Sequence, residues 1–324
     1  MRLPPYLTAA LQELISHAGS SPLAAVSRQL THRYKNAEFT APALRSPADR
    51  SAYLAVRLPA TFAANLHVFS ELRRRAAKVE IASLLDLGAG PGTSLFASGE
   101  TFSCLRHATL LEADPQWIQF GKKLAEQSPL PAVREANWLM DDLRNPSAVH
   151  THDAVVISYA LGELAAGDLN KVVRRAWLST AKFLILIEPG TKRGFAAINT
   201  ARSLLIAQQA QILAPCPHHN ACPMAAANDW CHFSQRLERS SEHRRIKGGS
   251  RGYEDEKFSY LIATRLELTP TQARIVRHPS IHSGHVQLEL CTENGSIERR
   301  TVARSDKGAY NFARQAEWGE EWNE

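Results

Sequence analysis

Residues 81–92 read Ile-Ala-Ser-Leu-Leu-Asp-Leu-Gly-Ala-Gly-Pro-Gly, a short apolar run that leads into a glycine-rich loop. The apolar run has the length and composition of a buried strand. Glycine permits positive φ and, because it has no Cβ, lets a ligand approach the backbone closely. A helix that starts after such a loop offers unpaired N–H groups at its N-terminus. The stretch therefore predicts a strand–loop–helix unit that binds a small ligand.

Further apolar runs follow the loop at intervals, with helical segments between them. The predicted strands cover residues 108–112, 132–136, 153–158 and 183–188, and the predicted helices include 117–127 and 195–213. Near-continuous apolar strands that alternate with helices indicate a parallel sheet covered on both faces. We therefore expect an α/β fold, a Rossmann-like and mostly parallel sheet.

The pattern divides the chain into four predicted units. Residues 1–80 form a helical N-terminal domain, in which Pro59 suits the first turn of the second helix. Residues 81–213 form the Rossmann-like core, and residues 214–251 form a cysteine-rich, basic insertion. In residues 252–324, two late strands at 258–264 and 285–291 complete the sheet, and a C-terminal tail follows.

Two carboxylates beside the loop suggest what it binds. Asp86 precedes the first glycine, and Glu112 ends the next strand, where a carboxylate accepts hydrogen bonds from ribose hydroxyls. A dinucleotide site favours Gly-x-Gly-x-x-Gly. Here residues 86–92 instead resemble the first motif of class I S-adenosylmethionine-dependent methyltransferases, whose cationic sulfonium ligand suits a nearby acidic residue. We favour that cofactor over a nicotinamide. The resemblance implies a cofactor site of Asp86, Gly88, Gly90, Gly92, Glu112, Asp141, Asp142 and Ser158.

A known methyl-transfer motif is missing from its usual place. Amino-methylating enzymes of this fold often carry Asn/Asp-Pro-Pro-aromatic after the fourth strand, whereas residues 158–164 read Ser-Tyr-Ala-Leu-Gly-Glu-Leu. The sequence therefore predicts a fold that holds the cofactor without identifying a methyl-transfer centre, since fold alone does not establish chemistry.

Three of the five cysteines fall in one short segment, at Cys216, Cys222 and Cys231. Their spacings, C-x5-C and C-x8-C, differ from the C-x2-C knuckles of zinc ribbons. Thiolates in such a loop suit zinc or an iron–sulfur cluster. The fourth ligand is Cys291, on a late strand, or else His218 or His232 completes a Cys3His zinc site. Cys104 lies apart and is expected to be a small buried hydrophobe.

The charge distribution suggests a polyanionic partner. The net charge is +6, and the first 80 residues hold 11 Lys and Arg against 5 Asp and Glu. Cationic side chains neutralise phosphates without choosing a sequence. The candidate RNA contacts are Arg236, Arg239, Arg244, Arg245, Lys247 and Arg251. No stretch approaches the about 18 apolar residues that a transmembrane helix needs, so we expect no membrane contact.

Several motifs, in one order along most of the chain, resemble the methyltransferase-like family associated with the small subunit of mitochondrial ribosomes, which also has bacterial members. The motifs are residues 53–61, the glycine loop, 158–164, 188–195, 216–223, 230–233 and 318–320. The resemblance implies a class I methyltransferase fold and binding to small-subunit ribosomal RNA. It also implies a four-iron, four-sulfur cluster on Cys216, Cys222, Cys231 and Cys291.

Three functions follow, in order of preference. The first is a small-subunit rRNA-binding factor for assembly or translation, whose methyltransferase fold and cluster are mainly structural. The second is an active S-adenosylmethionine-dependent rRNA methyltransferase, and the third a nicotinamide-dependent oxidoreductase. We expect a monomer when the protein is off the ribosome. We also expect the bacterial cytoplasm rather than the mitochondrial matrix, because no transit peptide is evident.

Overall fold

A computed structural model describes residues 1–16, 47–145, 150–239, 244 and 252–323. The helices are α1 (Pro5–Ser16), α2 (Pro47–Arg75), α3 (Thr93–Thr101), α4 (Pro115–Glu126), α5 (Pro131–Arg134), α6 (Ala166–Leu178), α7 (Lys192–Ala207), α8 (Pro223–Ala226) and α9 (Lys307–Gln315), with a 3-10 turn at Leu161–Glu163. Among the described residues, none of the helices combines the length and apolar character needed to span a bilayer.

The central sheet has the strand order β3-β2-β1-β4-β5-β8-β6, with β7 also paired to β8. Its strands are β1 (Ser83–Leu87), β2 (His107–Glu112), β3 (Asn137–Met140), β4 (His152–Ser158), β5 (Thr180–Pro189), β6 (Gln211–Ala214), β7 (Phe233–Glu238) and β8 (Tyr253–Thr264). Strands β1 to β5 are parallel, and β8 is antiparallel to β5. This is the class I methyltransferase fold, so the predicted α/β, mostly parallel sheet is confirmed.

Helices cover both faces of the sheet, which explains its continuous apolar strands. Successive strand residues point to opposite faces. One face packs against α2 through Leu84, Val156, Ile185, Leu58, Phe62 and Phe69. The other face packs against α6 and α7 through Leu85, Val155, Leu184, Val172 and Ala201. The chain order reverses between β1 and β4, and ligands bind at the carboxyl edge of such a switch point.

The N-terminal helices share the hydrophobic core of the sheet. Leu7 and Leu11 of α1 belong to the same buried cluster as Leu84 of β1. Pro59 lies inside α2 instead of at its first turn, so the predicted start of that helix is wrong. Burial of the apolar face of α2 outweighs the hydrogen bond that an internal proline removes.

Two predicted elements differ in position from the observed ones. The third strand covers Asn137–Met140, not residues 132–136, because Pro131 begins the short helix α5. The helix predicted to reach residue 213 ends at Ala207, and Gln211–Ala214 form β6. Its apolar residues pack beside β8, and an apolar run this short does not distinguish helix from strand.

The late strands separate into two sheets. The predicted strand at 258–264 lies within β8 of the central sheet, but the one at 285–291 does not join it. It lies in a second sheet of β9 (Ala273–Ile275), β10 (Ser280–Ile281), β11 (His285–Thr292), β12 (Ile297–Ala303) and β13 (Glu321–Trp322). Strand β5 pairs with one edge of β8, and β6 and β7 pair with its other edge. Because both edges of β8 are occupied, the later strands form an antiparallel sheet with a hydrophobic core of its own.

Candidate cofactor cavity and cysteine site

The glycine loop lines a cavity of about 560 Å³ at the carboxyl edge of β1, β2 and β4. Gly88, Gly90 and Gly92 all have positive φ, at 75°, 54° and 81°. A Cβ on Gly92 would lie 2.9 Å from the Trp138 ring, so that position needs glycine for space as well as conformation. The loop thus presents its backbone to the cavity.

Glu112 holds the loop from the end of β2. Its carboxylate accepts a hydrogen bond of 2.8 Å from the Gly90 N–H and another of 2.8 Å from the Asp114 N–H. Burial raises the pKa of Glu112, and the two N–H donors oppose that rise. A carboxylate accepts up to about four hydrogen bonds, so Glu112 keeps capacity for a ligand hydroxyl in the cavity that it lines.

Asp86 lies buried beneath the loop, with 1% of its surface exposed. Neither of its oxygens makes a well-formed hydrogen bond within the described residues. Burial raises the pKa of Asp86 to about 8, with a smaller opposing effect of the Ser94 hydroxyl. The carboxyl is therefore neutral below that pH, and it does not line the cavity directly.

The other predicted cofactor residues meet at the same cavity. Asp141, Asp142 and Ser158 line it together with Gly88 and Gly90. The carboxylate of Asp142 pairs with Arg144, which lowers its pKa. The Ser158 hydroxyl accepts a hydrogen bond of 2.9 Å from the Asn65 amide of α2. The structure thus brings residues from four strand ends to one place.

The sequence did not single out three aromatic residues of this cavity, Tyr53, Trp117 and Tyr159. Tyr53 lies within residues 53–61, a motif that carries the family resemblance, and that motif was the sequence feature that could have pointed to it. Tyr159 has φ 59°, and its hydroxyl donates a hydrogen bond of 3.0 Å to Glu256. Arg57 of α2 pairs with the same carboxylate at 3.0 Å. Helix α2 therefore helps to position the wall of the cavity.

Glu188 was also missed, although it stands at the end of a predicted strand. It is buried at the end of β5 and accepts hydrogen bonds from the N–H groups of Leu161 and Gly162, at 2.8 and 3.2 Å. Burial raises its pKa to about 8, against the effect of the two donors. It holds residues 158–164 at the mouth of the cavity, so these residues are fixed by β5 as well as β4.

Cys216, Cys222, Cys231 and Cys291 line a second, smaller cavity of about 40 Å³. Cys216 follows β6, Cys222 precedes α8, Cys231 precedes β7, and Cys291 lies in β11 of the second sheet. Burial raises the pKa of Cys291 to about 12, and the neighbouring Cys216 and Cys222 contribute. Burial and the other three thiols also raise the pKa of Cys231.

The two candidate histidines differ in position. His218 lines the cysteine cavity, and its Nε2 lies 3.4 Å from the Sγ of Cys291. His232 packs its ring against Trp230 and Trp318, with centroid distances of 5.3 and 4.6 Å. Cys104 does not line the cavity. Within the described ranges, no three or more His, Cys, Asp or Glu side chains have the arrangement that would hold a metal ion.

The candidate RNA-binding residues lie on and beyond β7. Arg236 pairs with Asp255 at 2.8 Å, and Arg239 pairs with Glu254 at 2.9 Å, in each case across the β7–β8 pair. Arg244 is exposed. Arg245, Lys247 and Arg251 lie outside the described residues. The charges of Arg236 and Arg239 are therefore balanced by carboxylates.

Comparison with known families identifies the chain. A family model described as mitochondrial small ribosomal subunit Rsm22 matches residues 47–323. This chain belongs to the Rsm22 family. The match includes the glycine loop, residues 158–164 and all four cysteines of the second cavity. The Rsm22 model begins at the first described residue of α2, so that helix belongs to the family's common region.

Curated relatives share the Rsm22 region. The human ribosome assembly protein METTL17, mitochondrial, is 29% identical over 292 residues, covering 83% of this chain and 61% of its own. The Schizosaccharomyces pombe Rsm22-cox11 tandem protein 2, mitochondrial, is 26% identical over 328 residues, covering 83% of this chain and 42% of its own. The chain thus spans less than two thirds of the length of these relatives.

Solved structures show a distant likeness. A magnesium protoporphyrin IX methyltransferase from Synechocystis with bound SAM has a TM-score of 0.42 and 13% identity, covering 64% of this chain and 80% of its own. The N-methyltransferase NodS from Bradyrhizobium japonicum with S-adenosyl-L-homocysteine has a TM-score of 0.41 and 11% identity, covering 64% of this chain and 88% of its own.

Proposed function

We propose that this protein is a factor of the small ribosomal subunit that binds its ribosomal RNA during assembly or translation. In this proposal the methyltransferase fold holds S-adenosylmethionine, and the four cysteines hold a four-iron, four-sulfur cluster. Membership of the Rsm22 family carries the assignment to the ribosome. Two curated relatives are named as mitochondrial ribosome assembly proteins, one human and one from Saccharomyces cerevisiae.

The cysteine site fits a thiolate-ligated cluster. Three thiols of one short segment, residues 216–231, and the thiol of Cys291 on a strand of the second sheet line one small cavity. Burial raises the pKa values of Cys216, Cys231 and Cys291, so these thiols stay protonated at neutral pH when unliganded, and a metal must displace their protons on binding. The Cys3His zinc alternative has His218 as its histidine, because His232 packs against two tryptophans.

Metal and sulfide analysis separates these two possibilities. We expect anaerobically purified protein to be brown, to absorb broadly near about 400 nm, and to contain iron and acid-labile sulfide in equal amounts. A colourless preparation with one zinc and no sulfide would replace the cluster with the zinc site.

The cofactor cavity supports binding of a nucleoside with an amino-acid end. The glycine loop, the carboxylate of Glu112 and three aromatic side chains line it. When bound, S-adenosylmethionine supplies an electrophilic methyl group. The chain's own residues bind and orient it: Glu112 accepts hydroxyl protons, and Asp86 adds no negative charge below pH 8.

A surface pair supports RNA contact. The Arg236 guanidinium lies 4.1 Å from the centroid of the Tyr253 ring, and Tyr253 is 39% exposed. An arginine stacked on an exposed aromatic ring offers a platform for an unpaired base next to a phosphate contact. Three further candidate cations, Arg245, Lys247 and Arg251, follow β7 in the sequence.

Co-sedimentation with purified ribosomal subunits tests the proposal. We expect the protein to pellet with small subunits and not with large ones, and we expect this binding to weaken as salt rises. An equal distribution between the two subunits, or none with either, would contradict the proposed function.

An active rRNA methyltransferase is the second candidate, because the cavity of about 560 Å³ has room for a cofactor. It predicts transfer of a labelled methyl group to small-subunit RNA. Tight cofactor binding without transfer to any rRNA precursor would favour the first candidate. The nicotinamide-dependent oxidoreductase stays the least favoured candidate, and fluorescence titration with the dinucleotide tests it.

The proposed location is the mitochondrial matrix. The curated relatives are named as mitochondrial proteins, and they give no support to the bacterial cytoplasm that the sequence favoured. The expected monomeric state off the ribosome stays a prediction. Fractionation of the source cells tests the location directly.

A further inference from the structure

Arg202, in α7, is a buried cation that pairs with no carboxylate among the described residues. Only 3% of its surface is exposed, and its side chain lines the cysteine cavity. Its Nη2 donates a hydrogen bond of 2.7 Å to the backbone oxygen of His218. Its Nε–H has no hydrogen-bond partner, and no ion pair of Arg202 exists within the described residues.

A second arginine of the same cavity shows the contrast. Arg274 is also buried, but its three donors reach Pro215 O, Gly319 O and Glu71 Oε1, at 3.0, 2.8 and 2.9 Å. Its charge is balanced by Glu71, with Glu321 at 3.7 Å. Among the described residues, no carboxylate pairs with Arg202 in this way. An unpaired buried charge is costly, so this position calls for an anion in the cavity that Arg202 lines.

The neighbouring groups indicate which anion this is. Among the described residues, the ionisable groups that share the lining with the two arginines are His218, Tyr260 and the four cysteines. Burial raises the pKa of Tyr260, so its phenol is neutral and supplies no anion. Arg202, Cys216 and Cys291 line the same small cavity, so the guanidinium of Arg202 faces the space that these thiols share. An oxidised four-iron core carries two positive charges and its four thiolates four negative ones, so the assembly is a dianion.

We infer that Arg202 is the buried counter-charge of the cysteine site and that its free Nε–H donates to a sulfur of the bound cluster. This inference rests on the proposed function, because it requires the cluster to be there. Hydrogen bonds to cluster sulfurs and nearby charge set the reduction potential of such centres. Arg202 therefore raises the potential, since a positive charge favours the added electron.

Three variants test the inference in full-length protein purified without oxygen. Arg202→Met removes the charge and all the guanidinium N–H donors at similar volume, and Arg202→Lys keeps the charge. Arg265→Met is the control, because Arg265 also donates to backbone oxygens, of Thr180 and Trp177, but does not line the cysteine cavity. The readouts are the reduction potential, the rate of iron loss to a chelator, and urea unfolding of the metal-free chain.

We expect Arg202→Met to shift the potential to a more negative value and to release iron at least tenfold faster than wild type. The reduction potential of Arg202→Lys should lie close to that of wild type, because lysine keeps the positive charge. The metal-free Arg202→Met chain should be at least as stable in urea as metal-free wild type, because it has lost an unpaired buried charge. Arg265→Met should leave potential and release rate unchanged.

The outcomes separate this inference from the proposed function. An unchanged potential in Arg202→Met that retains its cluster would overturn the inference alone. A metal-free Arg202→Met chain that is much less stable than metal-free wild type would also overturn it, since Arg202 would then act through the backbone of His218. If wild-type protein contains no iron and sulfide, the cluster and this inference both fail.

Discussion

Cys291 Sγ lies 3.4 Å from His218 Nε2, and this contact joins β11 of the second sheet to the loop that follows β6 of the central sheet. Cys291 pairs in register with Arg274, which reaches back to Pro215 beside the same loop. The two sheets therefore meet at the cysteine site, and a centre bound there would link them.

Removing the thiol of Cys291 should remove the metal centre. Cys291→Ser keeps the shape of the side chain but replaces the soft ligand, so we expect it to lose most of the iron and sulfide. Because such sites rarely form before the chain folds, its thermal transition should also fall. Cys104→Ser, which lies outside the cavity, is the matched control; equal iron in the two variants would show that Cys291 is not a ligand.

Glu112 should be needed for cofactor affinity. Glu112→Ala removes the acceptor of the Gly90 and Asp114 N–H groups and the expected acceptor of the ribose hydroxyls. Hydrogen bonds to a charged group contribute about 1.5–3 kcal/mol, so S-adenosylhomocysteine should bind roughly 10- to 100-fold more weakly in calorimetry. The exposed Glu126→Gln should bind like wild type. Wild-type affinity in Glu112→Ala would place the cofactor elsewhere.

Asp86 should make the protein less stable as pH rises. Its pKa is about 8 in the folded chain and about 3.9 when unfolded, so between these values the folded chain holds a proton that the unfolded chain has lost. The free energy of unfolding then falls by about 1.4 kcal/mol per pH unit from this group, until pH passes the folded pKa.

Urea unfolding between pH 6 and pH 8 checks this slope. Asp86→Asn resembles the neutral acid and should show a shallower fall, although Glu188, with a pKa also raised to about 8, keeps its own contribution. Parallel slopes for Asp86→Asn and wild type would mean that Asp86 is ionised in the folded protein. Glu126→Gln again serves as the control.

Glu71 should stabilise the junction between α2 and the second sheet. Its carboxylate pairs with the buried Arg274 and with Arg74, at 2.9 and 2.5 Å. Breaking a buried pair leaves an uncompensated charge, so Glu71→Gln should lower the free energy of unfolding by roughly 3 kcal/mol. Glu289→Gln, which breaks the exposed pair with Arg299, should cost less than about 1 kcal/mol. Equal effects would show that the buried pair contributes no more than the exposed one.

Tyr253 should contribute to RNA binding. Stacking of a base on an aromatic ring contributes about 1–3 kcal/mol, so Tyr253→Ala should weaken binding to small subunits by roughly 5- to 100-fold. Leu178 is also an exposed apolar residue but lies at the end of α6 and away from Arg236, and Leu178→Ala should leave the affinity unchanged. If both variants bind like wild type, the RNA contact lies elsewhere.

The amino-acid sequence alone determined the type of sheet and part of the lining of the first cavity, but not its aromatic residues Tyr53, Trp117 and Tyr159. Local patterns sufficed there, because the strands are continuous apolar runs and the loop's glycines are adjacent in the chain. The observed limits of helices and strands differ from the predicted ones at two prolines. Pro59 lies inside α2, and Pro131 begins the short helix α5.

Tertiary structure alone decided what lies around each motif. Cys291 and Cys216 line one cavity because β11 lies in a second sheet that packs beside the loop after β6. Which strands pair with β8 depends on the whole fold, so local sequence patterns do not predict this placement. The unbalanced charge of Arg202 likewise appears only in three dimensions. Whether a charge is paired depends on residues distant in the chain, since ion pairs form through space and not along the backbone.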